Sequence, residues 1–545
     1  MKKKIKTFSG NIVDVLKSEI YPGTIKISNR KISDVIREDR KYDTYILPGF
    51  IDAHFHVESS MLVPSELARI VVIHGTVAVL SDPHEIANVM GVEGVRYMID
   101  NAKTVPVKFY FGAPSCVPAS DYETSGANIG PEQIEELLKM VEIKFLAEVM
   151  NFPGVIHALP DVMKKIDIAK RYKKVIDGHS PGLRGKDLRR YVKAGISTDH
   201  ECFQKDEALE KLRLGMKIII REGSAAKNFD ELIPVVDEHY KNCMFCSDDK
   251  HPDELIRGHI NDLVKRAVDY GIDLMKVLRV ACVNPVSHYK LDIGLLRKGD
   301  NADFIVVDNL RDFKVLKTII RGEIVAEEGR SLVAKNTPAV VNNFKMKKKK
   351  AKDFFLACRI GKIHIIKVID GQVITDRGVT TPSIVNGNIV SDIKRDVLKI
   401  VVVNRYNESK VAIGFVKNFG LKKGAIASSV AHDSHNIIAV GVTDKDICRA
   451  VNLIIENKSG ICAVSQEKEM LLPLPIAGIM SNEECSRVAE KYSALNKMAK
   501  SLGSTLHSPF MTLSFMALLV IPKIKLGDKG LFDGEKFEFI DVFEG

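Results

Sequence analysis

The sequence predicts an α/β protein built from a (β/α)8 barrel, a small β-sandwich formed by the segments that flank the barrel, and a C-terminal α/β domain. Three observations predict it. Between residues 44 and 250, eight short apolar runs alternate with amphipathic stretches; the segments on either side are short and alternate apolar with polar residues; and a second α/β pattern follows a lysine run near residue 350. The expected boundaries are 1–45 with 290–345 for the sandwich, 46–289 for the barrel and 346–545 for the last domain. At about 150 residues per domain, a chain of 545 residues has room for three or four.

The eight runs are Tyr45–His56, Thr76–Asp82, Val107–Cys116, Ile143–Asn151, Lys174–Ser180, Ile196–Glu201, Lys217–Ser224 and Asn242–Asp249, each rich in Val, Ile or Phe and closed by polar residues. The connecting segments are expected to be helical. Gly130-Pro131-Glu132-Gln133-Ile134, for example, sets a proline and acids at a helix start, with apolar residues following at i+3 and i+4. Strand, helix and strand repeated eight times implies parallel pairing with right-handed crossovers. The alternative is an open doubly wound sheet, but no G-x-G-x-x-G follows any strand, and polar residues close almost every strand instead of gathering at one crevice. Residues 5–43 and 291–330 both have a β pattern and combine most economically into one unit. Beyond them, β-like stretches at 362–367, 399–403 and 436–441 and helix-like ones at 443–457 and 482–501 complete the chain, with no internal repeat.

Composition narrows the class. With 45% apolar and 28% charged residues, 37 Gly and 20 Pro, the chain is neither disordered nor collagen-like. Its basic start runs into Thr7, Ser9, Gly10 and Asn11 without the apolar core of a secretory leader. No stretch of about 18 apolar residues is present; residues 67–80 are interrupted by His74 and Gly75, and 510–522 is too short. A soluble, cytoplasmic protein with no membrane partner is expected. The nine cysteines, among them Cys116, Cys202, Cys282 and Cys462, are scattered and suit reduced thiols. The net charge of +10 is diffuse except for Lys345, Lys347, Lys348, Lys349, Lys350 and Lys352. No aromatic residues interleave with that run, so it is expected to be a solvated linker, not a nucleic-acid contact.

The densest chemical signal is Pro48-Gly49-Phe50-Ile51-Asp52-Ala53-His54-Phe55-His56. A period of two points the imidazoles of His54 and His56 to one face, which at the C-terminal end of a first barrel strand is the mouth where this fold keeps its active sites. Strand four closes with Glu148, strand five with Asp177-Gly178-His179, strand six with Thr198-Asp199-His200-Glu201 and strand eight with Ser247-Asp248-Asp249. His54, His56, His179 and His200 with Glu148 and Asp248 make a six-ligand set. Such nitrogen and oxygen donors suit Zn, Mn or Fe, a carboxylate can bridge two ions, and a two-metal hydrolytic site follows.

With these residues, Ser81-Asp82-Pro83-His84-Glu85-Ile86-Ala87-Asn88, the Gly-Asp-Asn-Ala-Asp-Phe stretch at 299–304 and Leu472-Pro473-Leu474-Pro475-Ile476-Ala477-Gly478, the chain resembles the amidohydrolase superfamily and, within it, the free-base adenine deaminase family over nearly its whole length. Many relatives carry a carbamylated lysine on strand four. Here the aligned position is Glu148, which favours the deaminase over dihydroorotase-like or urease-like relatives. The resemblance implies a metal-dependent hydrolase acting on the C–N bond of a cyclic amidine, converting adenine to hypoxanthine and ammonia in purine salvage. It also implies two divalent ions, with manganese favoured and iron or zinc as alternatives; these acidify a bridging water that attacks C6. N1 must then gain a proton and the amine must be protonated to leave, and Asp248 is the expected shuttle, with Asp249 its neighbour and alternative. A homo-oligomer, a dimer, is the expected assembly.

Other polar residues are candidates for holding the base: His84 and Glu85 past strand two, and Arg221, Glu222 and Ser224 at strand seven, where Gly223 lets a flat purine approach. The alternatives are that His84 caps a helix and that Arg221 and Glu222 form a rim ion pair. Glu201 is expected to face away from the mouth if its strand continues, orienting a ligand from behind. In the C-terminal domain, His432 and His435 lie in a polar loop that either covers the substrate or is simply surface. His56-Val57-Glu58 with Cys243-Met244-Phe245-Cys246 imitates the zinc deaminases of the cytidine type, but Asn242 stands where Pro is required and alternation sends the two thiols to opposite faces, so core cysteines are expected. Amide or cyclic-amide hydrolysis on the same fold is the second hypothesis. A non-catalytic scaffold is the third, and ligands at several separate strand ends argue against it.

Overall fold

A computed structural model describes residues 5–224 and 226–544; the basic start at residues 1–4 lies outside them. The chain packs as two compact units, one of residues 5–83, 96–115 and 130–337, the other of 84–95, 116–129 and 338–544.

In the first unit, eight parallel strands follow in order: Phe50–Phe55, Thr76–Ser81, Lys108–Ala113, Ile143–Val149, Val175–Gly178, Thr198–Asp199, Lys217–Arg221 and Cys243–Cys246. The first five pair consecutively, as do the last three. Two seams close the ring. Ser197 N–H donates to Ile176 O at 3.0 Å between strands five and six, and Asp248 N–H donates to His54 O at 3.0 Å between strands eight and one. The result is a closed (β/α)8 barrel. Its outer layer includes the helices Pro64–Val71, Pro131–Leu138, Lys205–Arg213 and Phe229–His239, and residues such as Ile218, Ile220, Phe245 and Val236 bury against one another between the layers.

The run Tyr45–His56 is divided at Gly49. Tyr45–Pro48 pairs with Lys6–Asp14 and Phe304–Val307, while Phe50–Phe55 opens the barrel. A Cβ on Gly49 would lie 2.3 Å from Val77 Cγ1, so only glycine lets the chain pass from one sheet to the other here. The flanking segments form one eight-stranded sheet. Its outer strand Lys31–Arg37 folds back on residues 299–302, with Ile32 N–H donating to Asp300 O at 2.9 Å, around a core of Ile12, Ile25, Ile32, Phe304 and Ile319. Buried Asp303 ties this sheet to the barrel, accepting from Lys108 Nζ at 2.7 Å and Arg321 N–H at 2.9 Å. That is the work of the second of the two acidic residues in the 299–304 stretch.

The second unit is built on a nine-stranded sheet in which Val397–Val403 lies between Ala412–Lys417 and Ile437–Gly441, and the helix Asp444–Asn457 packs its Ile447, Val451 and Ile454 against the sheet. In the lysine run, Lys347 pairs with Glu408 at 2.7 Å and Lys348 with Glu456 at 2.5 Å, on an exposed face. Among the described residues, no helix is long and apolar enough to cross a membrane.

Candidate metal centre

The ends of barrel strands one, four, five, six and eight bring six predicted residues together. His54 Nε2 and His56 Nε2 lie 3.1 Å apart, and His56 Nε2 is 3.2 Å from Asp248 Oδ1. Glu148 spans the group: Oε1 is 3.4 Å from His56 Nε2, while Oε2 is 3.1 Å from His200 Nε2 and 2.7 Å from His179 Nδ1. The His54 and His200 rings stack with centroids 4.1 Å apart. Donor atoms fall into overlapping trios, each within 4.8 Å: His54 with His56 and Asp248, His54 with Glu148 and His200, and His179 with His200 and Glu201. These nitrogen and oxygen donors fit divalent manganese, iron or zinc, and the Glu148 carboxylate offers one oxygen toward His56 and the other toward His179 and His200.

Local backbone explains the convergence. Period-two alternation carries His54 and His56 to the interior, and Asp248 takes φ 54°, a left-handed turn that aspartate tolerates and that holds its carboxylate over the same face. Burial weighs against the Glu148 carboxylate, yet the charges and hydrogen bonds of His179 and His200 hold it well below the usual carboxylate range. Burial, then His200 and His56, push His54 well below a normal imidazole. On His200 burial is outweighed by Glu148, Asp248 and Glu201, which raise it to about 9.

One expectation and one alternative reading are corrected by the geometry. Glu201 does not face away: its Oε1 lies 3.6 Å from His200 Nε2 and 3.7 Å from His179 Nδ1. The sixth strand is only Thr198–Asp199, so alternation has ended before residue 201. Arg221 forms no pair with Glu222; its Nη1 donates to Asp248 and Glu201, and its Nη2 to Glu201 Oε2 at 2.9 Å. Against the cost of burial, Arg221 and then His56 hold Asp248 well below the usual carboxylate range. Glu222 instead meets Arg266 at 2.9 Å, and Ser224 donates to Glu254 at 3.0 Å and accepts from His251 N–H. Sequence reasoning also missed two buried pairs beside the ligands, Asp52 with His259 at 2.8 Å and Asp199 with Lys211 at 2.9 Å.

The cysteines behave as core. Cys243 and Cys246 are buried, and burial pushes the Cys243 thiol up to about 12. In the second unit, Glu85 is enclosed by histidines: His432 Nδ1 lies 2.6 Å from its Oε1, His435 Nε2 meets Oε2, and His84 Nε2 is 3.5 Å away. The His432 ring stacks on Phe515 with centroids 4.5 Å apart. Burial weighs against the Glu85 carboxylate, but His432 and His435 hold it well below its ordinary range, and burial brings His435 down to about 4.

Imidazoles and carboxylates at the C-terminal strand ends of a closed parallel barrel define a class, the hydrolases that work through divalent cations. The amidohydrolase family profile matches residues 45–325, and the profile of the adenine deaminase C-terminal domain matches residues 372–538. Curated adenine deaminases are similar over the full length: 56% identity to that of Sulfurovum sp. (strain NBC37-1), covering 97% of this chain and 98% of the relative, 52% to that of Methanosarcina mazei (99% and 100%), and 49% to that of Borreliella burgdorferi (97% and 98%). The chain belongs to the adenine deaminase family of the amidohydrolases.

Proposed function

We propose that this protein hydrolyses free adenine to hypoxanthine and ammonia, a purine-salvage reaction. The observation that carries the reading is the full-length similarity to adenine deaminases, C-terminal domain included, which separates it from amide-cleaving barrels. His54, His56 and Asp248 would hold one ion and His179 and His200 the other, with Glu148 between them. When bound, the ions supply a water acidified enough to act as a nucleophile at neutral pH. Asp248 would take one proton from that water and deliver it to N1, and the second proton, from the hydroxyl now on C6, would pass to the exocyclic amine, so that the C6–N bond breaks with release of ammonia and C6 becomes the carbonyl of hypoxanthine. Arg221 keeps the Asp248 carboxylate in place and ionised. We assign recognition of the purine to the Glu85 cluster with His84, His432 and His435, whose replacement should raise KM.

Manganese is the proposed native ion, with iron or zinc as substitutes, and the free thiols support a cytoplasmic setting. The proposed assembly is a homodimer, which sedimentation decides. The proposed domains are 1–45 with 290–345, 46–289 and 346–545, the barrel carrying the chemistry. An ammonia-release assay with adenine, adenosine, cytosine and an N-acetyl sugar phosphate after reconstitution with Mn or Fe tests the function. Adenine alone should respond; silence with adenine overturns the reading.

A further inference from the structure

Between the fifth and sixth barrel strands the backbone ladder almost lapses. The sixth strand is two residues long, and the ring crosses this seam through Ser197 N–H on Ile176 O and through Thr198, whose Oγ1 accepts from Gly178 N–H at 3.2 Å and donates to Asp177 at 2.9 Å. His179 and His200 stand just beyond it, where no ladder fixes their spacing. Yet two imidazoles that share an ion must keep their distance to a few tenths of an ångström.

A buried ion pair does what the ladder does not. Asp199, adjacent to His200, accepts on Oδ1 from Ser180 N–H at 2.8 Å and Ser180 Oγ at 3.1 Å; Ser180 is adjacent to His179. Lys211, on the helix Lys205–Arg213, donates from Nζ to Asp199 Oδ2 at 2.9 Å, to Ser180 O at 2.7 Å and to Glu207 Oε1 at 2.7 Å. Both backbone groups of Ser180 are therefore gripped by one ion pair. Glu207 extends the grip by accepting from Gly182 N–H at 2.9 Å. Asp199 and Lys211 are both 0% exposed. A buried pair is weak evidence of stabilisation, since desolvation offsets most of its attraction, so its value here is geometric.

We propose that Asp199 and Lys211 are positioning residues that lock the His179 segment to the His200 segment and so set the affinity of the site for the ion those imidazoles share. The proposal rests on the two-ion reading above. Neither side chain touches an ion or substrate in it.

The test titrates metal-stripped full-length protein with Mn²⁺ and counts bound ions, comparing wild type, Lys211→Met, and the triple variant Asp199→Asn/Glu207→Gln/Lys211→Met, which leaves no unpaired charge in the network. The expected result is an unchanged first binding step and a second weakened about 10–100-fold, the scale of losing an outer partner of a ligand. Turnover should fall at limiting Mn²⁺ and return at saturating Mn²⁺, with KM unchanged. A purely structural role predicts a lower melting temperature with wild-type metal affinity in whichever variant folds, and that outcome overturns the proposal. If Lys211→Met fails to fold, the triple variant decides. If the triple variant also fails, the network serves the fold and the proposal falls. Should wild type bind only one ion, the two-ion reading falls, and the clamp is judged by the same comparison of Kd for that ion.

Discussion

Glu148 Oε2 lies 2.7 Å from His179 Nδ1, while the other oxygen of the same carboxylate turns toward His56. A carboxylate with one oxygen for each side can join two cations, whereas a primary amide offers a single acceptor oxygen and two hydrogens. Glu148→Gln should therefore lose one of two bound ions. Its kcat/KM should fall by more than about a hundredfold, beyond the usual cost of losing an outer-shell partner. Metal analysis of the purified variant checks this, and equal stoichiometry in variant and wild type would refute it.

Asp248 is gripped by Arg221 on one side and faces His56 at 3.2 Å on the other, so its carboxylate is oriented as well as ionised. An amide in its place cannot carry a proton. Asp248→Asn should lower kcat by about 10²–10⁴-fold, the usual contribution of a positioned acid–base group. Adenine should still bind, as measured by calorimetry with the loaded variant. Retention of a tenth or more of wild-type kcat removes Asp248 from the proton path.

Much of this site was legible because period two and strand-end placement are local properties. His54 and His56 announce a shared face within three residues, and Glu148, His179, His200 and Asp248 each end an apolar run. What was hidden depended on where the backbone stops being extended. Glu201 reaches the cluster because its strand ends at Asp199, a boundary set by the barrel seam and not by the identity of the residue. Gly49 divides one apolar run between two sheets because Val77, 28 positions away, leaves no room for a side chain. Arg221 chose Asp248 and Glu201 over its neighbour Glu222, a choice only tertiary contact makes. The Asp199–Lys211 pair was invisible for the same reason: a lysine on a charged amphipathic helix normally faces water.

Removing the cations should cost stability as well as activity. Glu148, Asp248 and Glu201 are all buried, and a ligand that binds only the folded state stabilises it by about 2.7 kcal/mol when present at a hundred times its Kd. Chelator-treated protein should melt at a lower temperature than protein reloaded with Mn²⁺, the gap widening with added Mn²⁺. Identical melting curves across the Mn²⁺ series would show that no ion seats among these residues.

Lys525 should give the second unit a pH-dependent stability. Its Nζ donates to Val373 O at 2.6 Å and Phe515 O at 3.0 Å, both uncharged acceptors, and burial brings its pKa down from 10.5 to about 7. Between those two values the unfolded chain holds a proton that the folded chain lacks, so unfolding takes up a proton and stability rises with pH across that window. Below pH 7 the lysine is charged in both states and the full cost of burying it is present. The slope can reach about 1.4 kcal/mol per pH unit. Lys525→Met abolishes the titration, so its melting temperature, followed from pH 7 to 10, should rise less steeply than that of wild type. Parallel curves for the two proteins would mean that the ammonium is already well solvated in the folded chain.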